Sequence, residues 1–143
     1  MNSIRITVDS NVFISGLLDS KDCKTVFTAF KRHKFVLIIS SVLFQELLWV
    51  LARPKFNQIT NKEEGRDVLN SIKDLAIFVE PSQPISVCRD IKDNKVLECA
   101  VEGQCQYLVT RDQDLLILKD IQKIPIITPK EFMKILSEES TNA

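Results

Sequence analysis

The sequence has few of the residues on which several common binding sites depend. Among its 143 residues there are only three glycines, so neither a G-x-G-x-x-G dinucleotide motif nor a P-loop can be written. It has one histidine, and its four cysteines include no C-x-x-C pair. This pattern favours buried, reduced thiols over a zinc site. These absences exclude nucleotide-binding loops and argue against zinc chemistry.

Long hydrophobic runs and net charge are also missing. Apolar runs such as FVLII at 35–39 are strand-sized, well short of the roughly 18 residues that a membrane span needs. The N-terminal MNSIRITVD enters a strand-like pattern without a signal-peptide hydrophobic region, so we expect a cytoplasmic protein with no membrane association. Nineteen basic residues balance nineteen acidic ones. Net charge therefore neither indicates nor excludes a nucleic-acid partner.

Strand-like and helix-like segments alternate along the chain, which predicts an α/β fold with a mainly parallel sheet. The predicted strands cover residues 4–8, 35–40, 76–80, 107–110 and 124–128. The predicted helices lie around 26–30, over 41–53, from a Thr60–Glu63 capping box to about residue 75, from about residue 93, and from a Thr128–Glu131 capping box to 136. We expect one domain over residues 1–137 and a frayed polar tail over residues 138–143.

Acidic residues occur where this topology would bring them together. In RITVDSNVFIS (residues 5–15), Asp9 ends the first strand, and Asp112 follows the fourth strand. Glu46 lies on the helix after the second strand, and Asp93 stands at the start of a later helix. Ligands of open α/β sheets bind beyond the C-terminal ends of the strands. The four acids are therefore expected at one rim of the sheet.

Each acid has a simpler explanation when it is taken alone. Asp93 can be a helix cap, Asp9 and Asp112 can be turn formers, and Glu46 can be half-exposed. As a group they would repel one another and raise their pKa values unless a cation compensates. Mg²⁺ prefers oxygen ligands, and such an ion can polarise a phosphoryl oxygen and activate water. The residues therefore predict a Mg²⁺ or Mn²⁺ site, with phosphodiester hydrolysis as the leading chemistry.

With these acids placed, the sequence resembles a PIN domain of the kind found as the toxin of bacterial and archaeal toxin–antitoxin pairs. VDSNVFISGLL resembles the first motif of the family, and LFQELLWVLARPKF resembles the second. RDIKDNKVLECAVEGQCQYLVTRDQDLLIL resembles the third and fourth motifs run together, and IPIITPKEF matches the usual ending. The resemblance extends from Ile4 to about Leu136.

The resemblance implies a role for each matching residue. Asp9, Glu46, Asp93 and Asp112 would be the catalytic, metal-binding acids. Asp114 would be an auxiliary acid of the metal site, and Ser10, Asn11 and Thr110 would be polar supports around it. The implied activity is Mg²⁺- or Mn²⁺-dependent cleavage of single-stranded RNA. The implied fold is a three-layer parallel sheet between helices, often a homodimer, and the implied partner is a cognate antitoxin protein.

Two features depart from the family pattern. The fourth motif commonly reads T-G-D, whereas Arg111 stands here in place of the glycine. Its cation would hold a phosphate, pair with a carboxylate or crowd the entrance of the site. The third acid is also ambiguous, because Asp90 precedes Asp93 by three residues; we prefer Asp93, since it starts the apolar-striped helix.

Substrate contacts are less clearly indicated. Arg53, Lys55, Arg89 and Lys92 are candidate phosphate ligands, with surface solvation an equal alternative. Trp49 lies among leucines, so we expect it in the core rather than stacked on a base. Two rivals to an RNase remain open: a non-catalytic nucleic-acid-binding or regulatory module, and a nuclease that acts on DNA.

Overall fold

The computed structural model describes residues 4–60 and 63–142, apart from the side chains of residues 59, 60 and 140–142. Its strands are β1 (Arg5–Val8), β2 (Val36–Ser40), β3 (Ile77–Val79), β4 (Tyr107–Val109), β5 (Asp120–Ile121) and β6 (Ile124–Ile127). Its α-helices are α1 (Ser10–Leu18), α2 (Lys21–Lys31), α3 (Ser41–Leu51), α4 (Asn57–Thr60), α5 (Glu63–Leu75), α6 (Ile91–Glu102), α7 (Gln113–Leu116) and α8 (Pro129–Asn142). A 3₁₀ turn over Pro54–Phe56 links α3 to α4.

The strands form one sheet in the order β3-β2-β1-β4-β6-β5. All neighbouring strands are parallel except β5, which pairs antiparallel with β6. Helices pack over the sheet to give three layers, so the predicted α/β fold is confirmed. The chain adds strands on one side of β1 and then on the other, so the strand order reverses between β1 and β4. Ligands of such sheets bind at this reversal.

Two predicted helix starts are confirmed by their capping hydrogen bonds. The hydroxyl of Ser40 accepts a hydrogen bond from the backbone N–H of Leu43 at 3.2 Å and starts α3. At α8, Glu131 N–H donates to Thr128 Oγ1 at 3.1 Å, and Thr128 N–H donates to Glu131 Oε1 at 3.0 Å. The predicted Thr60–Glu63 box lies outside the described residues, because it includes the Thr60 side chain and residues 61–62.

Other boundaries differ from the prediction. Helices α1, α4 and α7 and strand β5 were not predicted. Helix α6 begins at Ile91 with Asp90 as its cap, before the predicted start at Asp93. Helix α8 continues to Asn142, so the polar segment 138–142 has a helical backbone instead of a frayed one.

The expected core position of Trp49 is wrong, because 68% of this residue is exposed. Helix α3 turns Leu43, Leu47 and Leu51 into the core, at a spacing of four residues. Trp49 lies two residues from Leu47 and Leu51, a rotation of about 200° on a helix, and so faces away from the core. A leucine-rich sequence around a tryptophan therefore did not mean that the tryptophan was buried.

The structure describes the environment of the cysteines and the length and hydropathy of the helices. All four cysteines are free thiols, and Cys23, Cys99 and Cys105 are buried. Burial raises the pKa of the Cys99 thiol to about 12, so it stays protonated. Within residues 4–60 and 63–142, no helix is both long and apolar enough to cross a membrane.

Candidate active site

Adjacent strands bring Asp9 and Thr110 together. Val8 of β1 pairs with Val109 of β4, and the Asp9 N–H extends this pairing by donating to the Val109 carbonyl at 2.9 Å. The first residue after β4 is Thr110, whose hydroxyl donates to Asp9 Oδ2 at 2.9 Å. Both side chains are buried, with Asp9 5% exposed and Thr110 fully enclosed. The strand register therefore fixes the first predicted acid against its predicted polar support.

Thr110 also positions Asp112. The backbone N–H of Asp112 donates to Thr110 Oγ1 at 3.0 Å, so one hydroxyl accepts from Asp112 and donates to Asp9. Asp112 Oδ1 in turn accepts from the Asp114 N–H at 2.9 Å and caps the short helix α7. Within TRDQD, these local bonds link Thr110 to Asp112 and Asp112 to Asp114, each two residues further along the chain.

Asp93, and not Asp90, lies beside Asp112. Asp90 Oδ1 accepts from the Lys92 N–H at 2.9 Å, so its carboxylate caps α6. Asp93 occupies the first turn of that helix and is 9% exposed. Carboxylate oxygens of Asp93, Asp112 and Asp114 all lie within 4.8 Å of one another. Of the two candidates for the third acid, Asp90 therefore caps helix α6, and Asp93 lies in the acidic cluster.

Burial and neighbouring negative charge raise the pKa values of two acids, Asp93 and Asp9. Burial first, and then the negative charge of Asp112 and a hydrogen bond with it, raise the pKa of Asp93 to about 7. The pKa of Asp9 is also raised, mainly by burial, against the lowering effect of its hydrogen bonds from Thr110 and Asn11. A cation bound beside Asp93 and Asp9 would oppose these upward shifts, because it stabilises the ionised carboxylates.

The same acids line a cleft of about 320 Å³ at the C-terminal edge of the sheet. Glu46 reaches it from α3, and its Oε1 lies 3.9 Å from the Lys92 ammonium. The negative charge of Glu46 contributes to the raised pKa of Asp9. The cleft is lined by Asp9, Ser10, Asn11, Ile14, Glu46, Val50, Arg53, Lys55, Phe56, Asp90, Lys92, Asp93, Val96 and Asp112. All four acids predicted as metal-binding thus face one cavity.

This donor set suits a hard divalent cation. Ligand oxygens about 2.1 Å from a Mg²⁺ ion lie up to about 4.2 Å apart. The spacing within 4.8 Å for Asp93, Asp112 and Asp114 is close to that limit, so small side-chain shifts would bring these oxygens to one ion. The described residues contribute only carboxylates to this cluster, with no thiol or imidazole among them. Asp9 and Glu46 line the same cleft as Asp93 and Asp112.

The remaining candidate residues fall into three locations. Ser10, Asn11, Arg53 and Lys55 line the cleft itself. Arg89 lines a second cavity on the far side of Asp93 and Asp114. The Arg111 guanidinium lies 3.8 Å from the Cys23 thiol of α2, and within the described residues it neither lines the cleft nor forms an ion pair with an acid.

Comparison with known proteins agrees with this arrangement. A family model described as the PIN domain matches residues 5–114 of the chain. That span includes β1 to β4 and every acid of the site. The chain belongs to the PIN domain family. PIN domains are generally nucleases and typically use divalent metals.

Individual proteins similar to this PIN domain share 27% of its residues or fewer over the aligned segments. An uncharacterized protein of Methanocaldococcus jannaschii, MJ1680, is 27% identical over 141 residues, which cover 92% of this chain and 90% of the relative. The crystal structure of PAE2754 from Pyrobaculum aerophilum matches with a TM-score of 0.58 and 17% identity, covering 95% of this chain and 90% of that one.

A second solved structure is VapBC2 from Rickettsia felis, bound to a DNA fragment from its promoter. It matches with a TM-score of 0.56 and 13% identity, covering 87% of this chain and 98% of that one. At such low identity, both structures support the shared fold alone.

The apolar wall of the cleft was not predicted from the sequence. Ile14, Val50, Val96 and Phe56 line it together with the acids. Each sits in an apolar helical or turn segment and looks like an ordinary core position. No local signal separates a cleft wall from a core, because both need apolar side chains at the same spacing.

The bridging hydroxyl of Thr110 gives a first testable prediction. Replacement of Thr110 by valine keeps the side-chain volume but leaves Asp9 Oδ2 without its Thr110 donor and the Asp112 N–H without its Thr110 acceptor. We expect the free energy of unfolding at pH 8 to fall by about 1–3 kcal/mol, measured by urea denaturation. Thr110→Ser retains the hydroxyl and is expected to lose less. Equal losses in the two variants would show that methyl packing, and not the hydrogen-bond bridge, matters here.

Proposed function

We propose that this PIN domain is a metal-dependent endoribonuclease that hydrolyses phosphodiester bonds of single-stranded RNA. The observation that carries the proposal is the convergence of Asp93 and Asp112 with Asp114 within 4.8 Å, where Asp93 and Asp112 line a cleft that Asp9 and Glu46 also line. Family membership supports a nuclease, and the carboxylate donor set supports a divalent cation.

In this proposal the acids divide into two groups. Asp9, Glu46, Asp93 and Asp112 hold Mg²⁺ or Mn²⁺, and Asp114 is an auxiliary acid at the outer side. Thr110, through its bonds to Asp9 and Asp112, keeps two of the ligands in place, and Ser10 and Asn11 add polar groups at the start of α1. When bound, the ion polarises a phosphoryl oxygen of the substrate and lowers the pKa of an attacking water.

Cations on both sides of the acids support a path for the substrate backbone. Arg53 and Lys55 line the cleft on the α3 side, and Arg89 lies beyond Asp93. A strand that runs between them would pass its phosphates over the acids, with the cations offsetting backbone charge. Arg111, turned towards Cys23, contributes least in this arrangement.

The finer assignments rest on analogy with the family. We propose that the protein is a toxin restrained by a cognate antitoxin protein, and that it acts as a cytoplasmic homodimer. The likeness in fold to Rickettsia felis VapBC2 supports this setting. Growth arrest on expression, relieved by co-expression of a protein encoded beside this gene, is the result expected of a toxin.

Matched single strands of RNA and DNA test the proposed chemistry. Purified protein is incubated with each strand under Mn²⁺ and under chelator, with a duplex RNA of the same sequence as a further substrate. The proposal expects internal cleavage of the single-stranded RNA in Mn²⁺ alone. Preferred cleavage of the DNA strand would contradict the RNase proposal and indicate a deoxyribonuclease. Binding of either strand without cleavage would favour the non-catalytic nucleic-acid-binding module.

A further inference from the structure

A second groove of about 530 Å³ runs beside the acidic cleft along the outer face of α3. It is mostly apolar at its outer end, where Val42 is 51% exposed and Trp49 is 68% exposed. Ser41, Gln45 and Arg53 complete this face. A tryptophan that is 68% exposed is unusual on a protein surface that does not bind a partner, because most large aromatic rings are largely buried.

The groove and the cleft are continuous. Both are lined by Glu46, Val50, Arg53 and Lys92. Glu46 therefore faces the acids on one side and the Trp49 groove on the other, with the Lys92 ammonium 3.9 Å from its carboxylate. A ligand held over the acids reaches Trp49 without leaving the protein surface.

We propose that the Trp49 indole stacks on an unpaired nucleobase of the substrate, a short distance along the strand from the phosphate over the acids. This inference rests on the proposed function and specifies how that site selects a single strand. An exposed aromatic ring beside Arg53 and Lys92 combines a stacking surface with backbone cations, the pairing by which proteins hold single-stranded nucleic acid. A duplex has no free base face to offer.

Charge and size favour a nucleobase over a protein surface as the occupant. Val42 and Trp49 are the large apolar side chains with high exposure in the groove, and charged residues flank them. A second copy of the chain would need roughly 800 Å² per partner, with a core depleted of charge. The exposed Ile77 and Phe78 at the β3 edge do not line this groove.

Trp49 is the chain's only tryptophan, so its fluorescence reports this groove directly. Wild-type protein is titrated with short oligoadenylate in chelator and again in Ca²⁺, with an abasic oligonucleotide of equal length as the phosphate-only control. Stacking predicts saturable quenching by oligoadenylate and little by the abasic strand. Quenching that is absent in both buffers, or equal for both strands, overturns the proposal. A fluorescence change on dilution without nucleic acid also overturns it, because a second copy would then cover the ring.

Variants supply the functional arm of the test. Trp49→Ala is expected to weaken binding of oligoadenylate by at least about fivefold, and to raise KM for RNA more than it lowers kcat. Trp49→Phe keeps a ring and is expected to restore most of the affinity. Leu18→Ala, at another exposed apolar residue at the C-terminal end of α1, serves as the matched control and is expected to have no effect.

The two proposals can fail separately. Base-dependent quenching without cleavage would keep Trp49 as a stacking residue while removing the nuclease. Cleavage with an unchanged KM in Trp49→Ala would keep the nuclease and overturn the stacking role.

Discussion

Replacement of Asp112 by asparagine is expected to lower the rate of Mn²⁺-dependent RNA cleavage by at least about a hundredfold. Loss of a residue that merely supports a metal ligand typically costs 10–100-fold, and Asp112 is proposed as a ligand itself. Asparagine retains an Oδ1 acceptor for the Asp114 N–H, so the cap of α7 is preserved while the negative charge is lost. The measurement is single-turnover cleavage of a labelled single-stranded RNA at saturating protein.

A matched control separates loss of charge at the site from loss of charge in general. Asp74→Asn makes the same chemical change at an exposed residue near the end of α5, which leads to the opposite edge of the sheet. This variant should cleave at the wild-type rate. Cleavage by Asp112→Asn within a few-fold of wild type, with an unchanged melting temperature, would contradict a ligand role for Asp112.

Metal-free protein is expected to lose stability as the pH rises from about 4 to about 7. The folded-state pKa of Asp93 is raised from 3.8 to about 7, mainly by burial and then by Asp112. Within this window the folded protein keeps a proton that the unfolded chain has released, so the free energy of unfolding falls with pH and then levels above 7. The decrease due to Asp93 is roughly 2–4 kcal/mol.

Urea denaturation of wild type and Asp93→Asn in chelator, between pH 4 and 8, measures this decrease. The variant lacks the titrating group, so the difference in unfolding free energy between the two proteins should change across the window. Added Mn²⁺ should stabilise wild type more at pH 8 than at pH 5, because the cation competes with protons for the acids. A difference that is constant with pH would contradict the raised pKa of Asp93.

The fold class and the grouping of the acids could both be predicted from the order of strands and helices in the sequence. Asp9 and Asp112 could be placed at one rim because each directly follows a strand of a parallel sheet. The preference for Asp93 over Asp90 agrees with the position of Asp93 in the cluster, but Asp93 lies in the first turn of α6 and does not start it. Asp90 is the helix cap, and this leaves Asp93 to face Asp112.

The missed elements lacked the signals that reveal helices and hairpins. Helix α1, SNVFISGLL, is apolar on most sides, so it shows no clear helical stripe. Strand β5 joins β6 through Gln122 and Lys123, both with positive φ. Such a two-residue turn usually contains asparagine or glycine. Because neither residue occurs at 122–123, the sequence carries no signal for the hairpin.

Exposure was the other property that sequence pattern did not reveal. Trp49 and Leu47 are both apolar residues of α3, yet one is 68% exposed and the other is fully buried. Which stripe of an almost wholly apolar helix faces the core depends on its neighbours in space. The apolar wall of the cleft and the exposed Trp49 groove both result from how α3 packs against the rest of the fold.

Isothermal titration of Mn²⁺ into wild-type protein and Asp9→Asn at pH 8 tests the central claim most directly. This pH lies above the raised pKa of Asp93, so the Asp93 carboxylate is ionised and available to a cation. Asparagine keeps an oxygen acceptor for the Thr110 hydroxyl, so the variant changes charge with little change in shape. The account predicts saturable binding by wild type that is lost or strongly weakened in the variant. Equal binding by both proteins, or none by wild type, would contradict a metal centre built on these acids.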